Sequence, residues 1–404
     1  MKTPHGWSKT QLHHVAHVQT GLSKSEGRTG PAVRRPYLRV ANVQDGYLDL
    51  TELKEIDVPV SQVGRFSLRM HDVLLTEGGD FDKLGRGCVW RSEVPNCVHQ
   101  NHIFAVRVSK PEQLLPEFLA CQIQSAHAKN YFLSCAKQTT NLASINSSQI
   151  KELPVVLPPL REQRAIVQAV SIWDAAIEKT EQLIAAKDRR FNAVRHKMLV
   201  AKRRINRFTG HWPLLRADHI FENTSRKGQT SEPLLSVTQQ RGVIPRDMLD
   251  GRVTMPSGDT TSFKLVEPGD FVISLRSFQG GLEHSSYRGL VSPAYTVLQA
   301  KQEIDERFFR HYFKSADFIK RLSVAVIGIR DGKQISFQDF SSIKLPNPPI
   351  VEQRAIAEVL DHAEREIALL RDQIATLQKQ KRGLMQKLLT GQWRVRTEEE
   401  EVPA

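Results

Sequence analysis

The sequence predicts an α+β chain: two tandem globular α/β domains, each followed by a long helix, the two helices pairing as an antiparallel coiled coil with pseudo-two-fold symmetry. Three observations predict it. A stretch of text recurs once at long displacement, strand-like runs lie ahead of each copy, and an apolar seam of alternating four- and three-residue steps follows each copy.

The repeat is read from Pro158-Pro159-Leu160-Arg161-Glu162-Gln163-Arg164-Ala165-Ile166, which returns as Pro348-Pro349-Ile350-Val351-Glu352-Gln353-Arg354-Ala355-Ile356, 190 residues later. Extended without gaps, it sets Glu117-Phe118-Leu119 on Arg307-Phe308-Phe309, Ile145 on Ile335, and Lys197-Met198-Leu199 on Lys387-Leu388-Leu389. A displacement of this size exceeds the 20 to 50 residues of a solenoid unit, whose core depends on its neighbours. Each copy is long enough to fold around its own core.

Each copy opens with a mixed segment. Strand-like runs are Tyr37-Leu38-Arg39-Val40-Ala41-Asn42-Val43 and Asp72-Val73-Leu74-Leu75-Thr76 in the first, and Asp270-Phe271-Val272-Ile273-Ser274 in the second. The helix that follows shows its seam at Ile166, Val170, Trp173, Ile177, Ile184, Phe191 and Val194 in the first copy. In the second it shows at Ile356, Leu360, Ile367, Leu370, Ile374, Leu377 and Leu384. Thr180 and Lys187 interrupt the first seam and Lys381 the second. Each helix should run for roughly 40 residues, or about 60 Å. Pro-Pro suits the first turn, and Glu162 and Glu352 suit the positive N-terminal end. The expected divisions are residues 1–157 and 206–347 for the globular domains, 158–205 and 348–391 for the helices, and 392–404 for an acidic tail. Two incomplete seams of one register should pack together, in preference to each helix lying on its own domain.

Composition excludes several classes. With 40% hydrophobic and 25% charged residues and no long low-complexity tract, the chain reads as globular. No run approaches the ~18 apolar residues of a membrane span, so a cytoplasmic location and no membrane partner are expected. Cys88, Cys97, Cys121 and Cys135 form no C-x-x-C pair and read as reduced, mostly buried thiols. His13, His14 and His17 lack a nearby Cys, Asp or Glu to complete a metal shell, and no metal is expected. The net charge of +13 favours a polyanionic partner.

No catalytic motif is present: no G-x-x-x-x-G-K-[ST], no G-x-G-x-x-G after a strand, no H-E-x-x-H and no G-x-S-x-G. Asn347-Pro348-Pro349-Ile350 is similar to the Asn/Asp-Pro-Pro-aromatic motif of amino-methylating DNA methyltransferases. Its fourth residue cannot stack on a base, and its repeat partner Leu157-Pro158-Pro159-Leu160 has no amide, so it reads as a helix start. The glycine pairs Gly78-Gly79 and Gly280-Gly281 follow the Asp-led strands and permit tight loops or close approach to phosphate. Around them lie donors suited to base edges and backbone: Lys83, Arg86 and Arg91, then Arg276, Ser277, Gln279 and Arg288. Basic stretches add Lys24, Arg28, Arg34 and Arg35, with Arg226, Lys227 and Gln229 as loose counterparts. Polar loops at equivalent places before the helices contribute Gln138-Thr139-Thr140-Asn141 and Arg330-Asp331-Gly332-Lys333-Gln334. Asn141, Arg330, Lys333 and Gln334 complete the candidates for DNA contact.

The order of variable segment, Leu-Pro-Pro-Leu-x-Glu-Gln-Arg-x-Ile, long helix ending near Lys-Met-Leu, and the same again ending Gln386-Lys387-Leu388-Leu389-Thr390-Gly391, resembles the specificity subunit of type I restriction-modification systems. Pro36-Tyr37-Leu38-Arg39-Val40-Ala41-Asn42-Val43 and Thr76-Glu77-Gly78-Gly79-Asp80 add to the likeness, which covers nearly the whole chain. The resemblance implies that each globular segment is a target recognition domain reading one half of a split, asymmetric site on double-stranded DNA, and that the helices fix the spacing. It implies no catalysis and no cofactor of the chain's own. Two modification (methyltransferase) subunits using S-adenosylmethionine would methylate adenine, and restriction (motor-nuclease) subunits would use ATP and Mg. The alternatives are a coiled-coil scaffold joining two protein-binding domains without touching DNA, and a single-chain restriction enzyme or methyltransferase, which the missing motifs disfavour.

Overall fold

The computed structural model of the chain describes residues 4–23, 30–79, 81, 84–138, 143–205, 208–249, 259–326 and 335–395. Contacts divide it into two units, residues 1–180 with 373–404, and residues 181–372. Each long helix passes from one unit into the other.

In the first unit a four-stranded antiparallel sheet runs in the order Ala16–Thr20, Ile103–Val108, Val73–Thr76, Gly87–Val89. Side chains of a strand alternate between faces, and both faces here are covered. Val73 and Leu75 enter the main core with Phe104, Phe118 and Phe132, while Leu74 enters a second core with Trp90 and Leu38. This is why Val73–Thr76 is buried throughout and opens on an unbroken Val-Leu-Leu run rather than alternating. A three-stranded sheet, Lys54–Pro59, Ala32–Leu38, Val98–His99, stands beside it, and Ser8–Gln11 pairs with Pro154–Leu157 just ahead of the long helix.

The expected strand through Tyr37 to Val43 ends sooner. Ala32–Leu38 is the strand, and Val40–Asn42 is a single 3-10 turn. Asn42 causes the break: its Oδ1 accepts from the Arg39 N–H at 2.9 Å, and its amide donates to the carbonyls of Asp49 and Glu52. A buried side chain thus takes over the backbone bonds that a ladder would have supplied.

The second unit repeats the same sheet order with Phe221–Thr224, Thr296–Ala300, Phe271–Ile273 and Glu283–His284. Again the central strand serves two cores: Phe271 and Ile273 face a cluster of phenylalanines, and Val272 faces Leu235, Val266 and Val291. Phe271 meets Phe313 edge-on at 4.9 Å, and Phe221 meets Phe309 at 5.2 Å. The two modules share one fold although their loops differ.

The Asp before each central strand is structural. Asp72 accepts from the Arg69 N–H and, doubly, from Arg107 at 2.7 Å. Asp270 accepts from the Glu267 N–H, and where Arg107 stands the second module has Gln299, so burial pushes the Asp270 carboxyl up to about 6.

The long helices are Leu160–Leu199 and Ile350–Leu389. In each unit they run antiparallel. Asp174 meets Lys381 at 2.5 Å in the first; in the second Lys187 meets Glu366 at 2.6 Å, and Asp188 meets Arg371 at 3.0 Å. All fourteen apolar positions named above for the two seams are buried or half-buried. The polar interruptions are accommodated: Lys187 and Lys381 reach across to carboxylates, and the Thr180 hydroxyl donates to the Ala176 carbonyl. Helix ends enter the domain cores. Ile166 and Val170 join Met385, Leu388 and Leu389 in the first unit, and Phe191, Met198 and Leu199 join Ile356, Leu360 and Ile367 in the second. A core therefore takes in the start of one helix and the end of the other.

Three cysteines, Cys88, Cys97 and Cys121, are buried, and burial pushes each thiol up to about 12. His99 of the first module is buried too, its Nδ1 3.2 Å from the Phe66 carbonyl, and burial drives it down to about 4. The unfolded chain protonates this imidazole near the ordinary histidine value, whereas the folded one refuses the proton until about pH 4. Its contribution is therefore full above about pH 6.5 and lost as pH falls from there to about 4, by at most about 3 kcal/mol. In the second module His284 is likewise driven down to about 4, but Asp270, pushed up to about 6, gains on acidification and offsets it. Amide protection factors, corrected for the pH dependence of intrinsic exchange, should fall more between pH 7 and pH 5 over residues 98–108 than over residues 271–284, and His99→Gln should flatten the difference.

Candidate nucleic-acid interface

Two arrangements stand out, one structural and duplicated, the other a polar edge on the second module.

The duplicated one explains the Pro-Pro-x-x-Glu-Gln-Arg text. Glu162 is buried; Trp7 Nε1 donates to its Oε2 at 2.9 Å, and Arg394 forks onto it with Nε at 2.6 Å and Nη2 at 2.9 Å. The Arg394 guanidinium lies over the Trp7 ring, 5.8 Å from its centre. Glu352 is held in the same way by Trp212 Nε1 at 3.0 Å and by Arg204 Nε at 2.8 Å and Nη2 at 2.6 Å, with Arg204 5.7 Å over the Trp212 ring. The neighbouring glutamines are buried and fully used. Gln163 accepts from the Leu115 N–H and donates to the Gln113 and Pro158 carbonyls; Gln353 accepts from the Asp305 N–H and donates to the Pro348 carbonyl. Glu162 and Glu352 are thus anchors of a lock at each helix start, beyond their favourable place near the helix N-terminus. Arg164 and Arg354 point outward and are exposed.

On the second module the hairpin Leu235–Thr238 and Gly242–Pro245 turns through Gln239, Gln240 and Arg241. Against it lies the turn from Ser274 to Gly281. A cleft of about 460 Å³ separates them, lined among others by Gln239, Gln240, Arg276, Glu283 and Tyr295. Gly281 is required here: its φ is +77°, and a Cβ would fall 1.8 Å from the Phe313 carbonyl oxygen. Ser277, expected to contact DNA, is instead buried, and its hydroxyl accepts from the Ser274 N–H at 2.8 Å. It shapes the turn and offers nothing to a ligand.

The other candidates are placed as follows. Arg276 and Gln279 are exposed on the same turn as Ser277. Arg226 and Arg288 are brought together around Glu267, with Arg288 also 2.8 Å from Glu232; hydrogen bonding from Arg226 holds the Glu267 carboxyl below the usual range. Water screens pairs as open as these, so a phosphate can displace the carboxylates at small cost. Lys227 and Gln229 are exposed nearby in sequence. In the first module Arg34 is exposed and paired with Glu55 at 2.8 Å, Arg35 is half-buried, Arg86 donates to the Val40 carbonyl at 3.3 Å, and Arg91 is exposed. Lys24, Arg28, Lys83, Asn141, Arg330, Lys333 and Gln334 lie outside the described residues.

The N-terminal histidines are occupied locally, His13 with the Lys151 carbonyl at 3.0 Å and His14 with Thr10 at 3.1 Å. Among the described residues one group has metal-like spacing, His311, Asp361 and Glu364. Burial raises the Asp361 carboxyl, but His311 and Arg310 outweigh it and hold it at about 2. Its charge is already met by the Arg310 guanidinium, and His311 Nε2 lies 2.8 Å from the same carboxylate. Missed in the sequence were Trp7, Trp212, Arg204 and Arg394, and the hairpin tip Gln239–Arg241, whose Gly242 at the end of a polar turn between two apolar runs was the available signal.

Fold and sites together define a tandem two-module protein with a duplicated helix lock. A family model for the type I restriction modification DNA specificity domain matches residues 4–186 and 250–379, and the chain belongs to that family of specificity subunits. It is 24% identical to a putative type I restriction enzyme MjaX specificity subunit of Methanocaldococcus jannaschii, over 98% of this chain and 95% of that one. It is 26% identical to the EcoKI specificity subunit of Escherichia coli over 52% of this chain and 45% of that one. Among solved structures, a chain from work on complex assembly and conformational transition of the type I R-M system superposes with a TM-score of 0.59 at 17% identity, covering 97% of this chain and 100% of that one. The S subunit from M. genitalium gives 0.51 at 14%, covering 96% and 98%. No helix among the described residues is long and apolar enough to cross a membrane.

Proposed function

We propose that the chain reads a split, asymmetric site on double-stranded DNA, one half with each module, while the paired helices set the number of unread bases between the halves. The duplication is the observation that carries this reading: two modules with one sheet order and one helix lock, but different loops, suit two different half-sites. The recognition domains would correspond to residues 1–157 and 206–347.

The chemistry belongs to partners in this reading, and the chain itself is not catalytic. Two modification subunits, carrying S-adenosylmethionine, methylate adenine, and restriction subunits driven by ATP with Mg cleave. Assembly of the related type I system supports such partners. So do Ile172, Leu183, Val359 and Leu369, apolar side chains left exposed along the long helices.

Salt separates this reading from an adaptor that joins two proteins. The net charge of +13 should be spent on phosphates, and affinity of the assembled complex for duplex DNA should fall by roughly 10³-fold or more between about 50 and 200 mM salt. Binding that is absent, or indifferent to salt, would favour the adaptor.

A further inference from the structure

We infer that the second module reads base edges with the hairpin tip Gln239–Gln240–Arg241 and the adjoining turn, Gln240 and Arg276 being the side chains that meet the bases. This rests on the reading of the chain as a DNA specificity subunit and names where one half of its site is read.

The residue types fit. Glutamine forks onto the N6 and N7 of adenine and arginine onto the O6 and N7 of guanine, and a two-stranded β-ribbon is narrow enough for the major groove. The hairpin carrying Gln240 is such a ribbon. Availability also distinguishes these two. Arg226 and Arg288 each make a single contact with Glu267 that a phosphate can displace, which suits them to the DNA backbone, and Arg241 donates to the Met248 carbonyl at 2.8 Å. Gln240 and Arg276 are exposed, with no side-chain partner among the described residues.

The tip is held, which base reading requires. Lys314 Nζ donates at 3.1 Å to the Gln239 carbonyl and at 2.5 Å to Oε1 of Glu283. Gln239 Nε2 in turn lies 3.5 Å from the Arg276 carbonyl, so a half-buried ion pair holds the hairpin tip and Gln239 links that tip to the turn. Glu283 is 1% exposed, lines the cleft between the loops, and keeps its Oε2 without a partner there. A buried carboxylate costs stability, so its retention needs a reason beyond packing. Cys88 stands at the same place in the first module, facing Leu74 as Glu283 faces Val272. The fastening is therefore peculiar to the second module, as expected if the two modules read different bases. Glu283 and Lys314 are positioning residues in this scheme.

The test uses a host carrying the intact system, with adenine methylation mapped across its genome for the parent, Gln240→Ala and Arg276→Ala. Each variant should relax the choice of base at one position in one half-site, discrimination falling roughly 5- to 150-fold, with the other half and the spacing unchanged. Both side chains are exposed, so the variants should melt as the parent does. If Arg276→Ala abolishes methylation, Arg276→Lys should restore it with relaxed choice, since lysine keeps the charge but cannot fork. Unchanged recognition in both halves for the Gln240→Ala, Arg276→Ala double variant, or full fidelity in Arg276→Lys, would overturn the assignment. A parent methylome that does not depend on this chain would instead contradict the underlying specificity reading.

Discussion

Glu352→Ala is expected to destabilise the second module by about 3–5 kcal/mol, the range for removing one partner of a buried ion pair. The Glu352 side chain is fully buried and that of Arg204 only 18% exposed. Truncation strands a guanidinium that water barely reaches and an indole N–H, that of Trp212, with no acceptor. The repeat supplies an internal comparison. Arg394, partner of Glu162, is 50% exposed and can rehydrate, so Glu162→Ala should cost less, about 1–3 kcal/mol. Urea unfolding of the two variants measures both. A loss below about 1 kcal/mol for Glu352→Ala, or the reverse order of the two, would contradict the lock.

The helices and the duplication were legible because they are written in periodicity and in copied text, both of which survive without knowledge of contacts. Val73–Thr76 and Phe271–Ile273 were legible as strands from short apolar runs that each follow an Asp. The locks were not. Trp7 lies 155 residues from Glu162, and Arg394 lies 232 from it, so no local pattern connects them. Glu162 consequently read as a helix-dipole residue, which accounts for its place but not for its burial. Asn42 defeated the strand reading of Tyr37–Val43 because its side chain captures backbone groups that propensity assigns to a ladder. Ser277 shows the limit for site residues: a hydroxyl beside a glycine pair suits a ligand and suits a tight turn equally, and only packing decides. The hairpin tip at Gln239–Arg241 has a plain signal in Gly242, but its proximity to Arg276 arises only from the fold.

The helices carry the largest functional expectation. Their packed seams set how far one helix can slide along the other, and shifting either by a turn would also part Asp174 from Lys381 and Lys187 from Glu366. The most direct measurement is genome-wide methylation by the intact system after one helical turn is removed from both helices at repeat-related positions, residues 181–184 and 371–374. One turn is about 5.4 Å, or roughly 1–2 base pairs. The expected result is methylation of the same two half-sites, separated by a spacer shorter by that amount. Methylation at the original spacing by the shortened protein would contradict the claim that the helices measure the site.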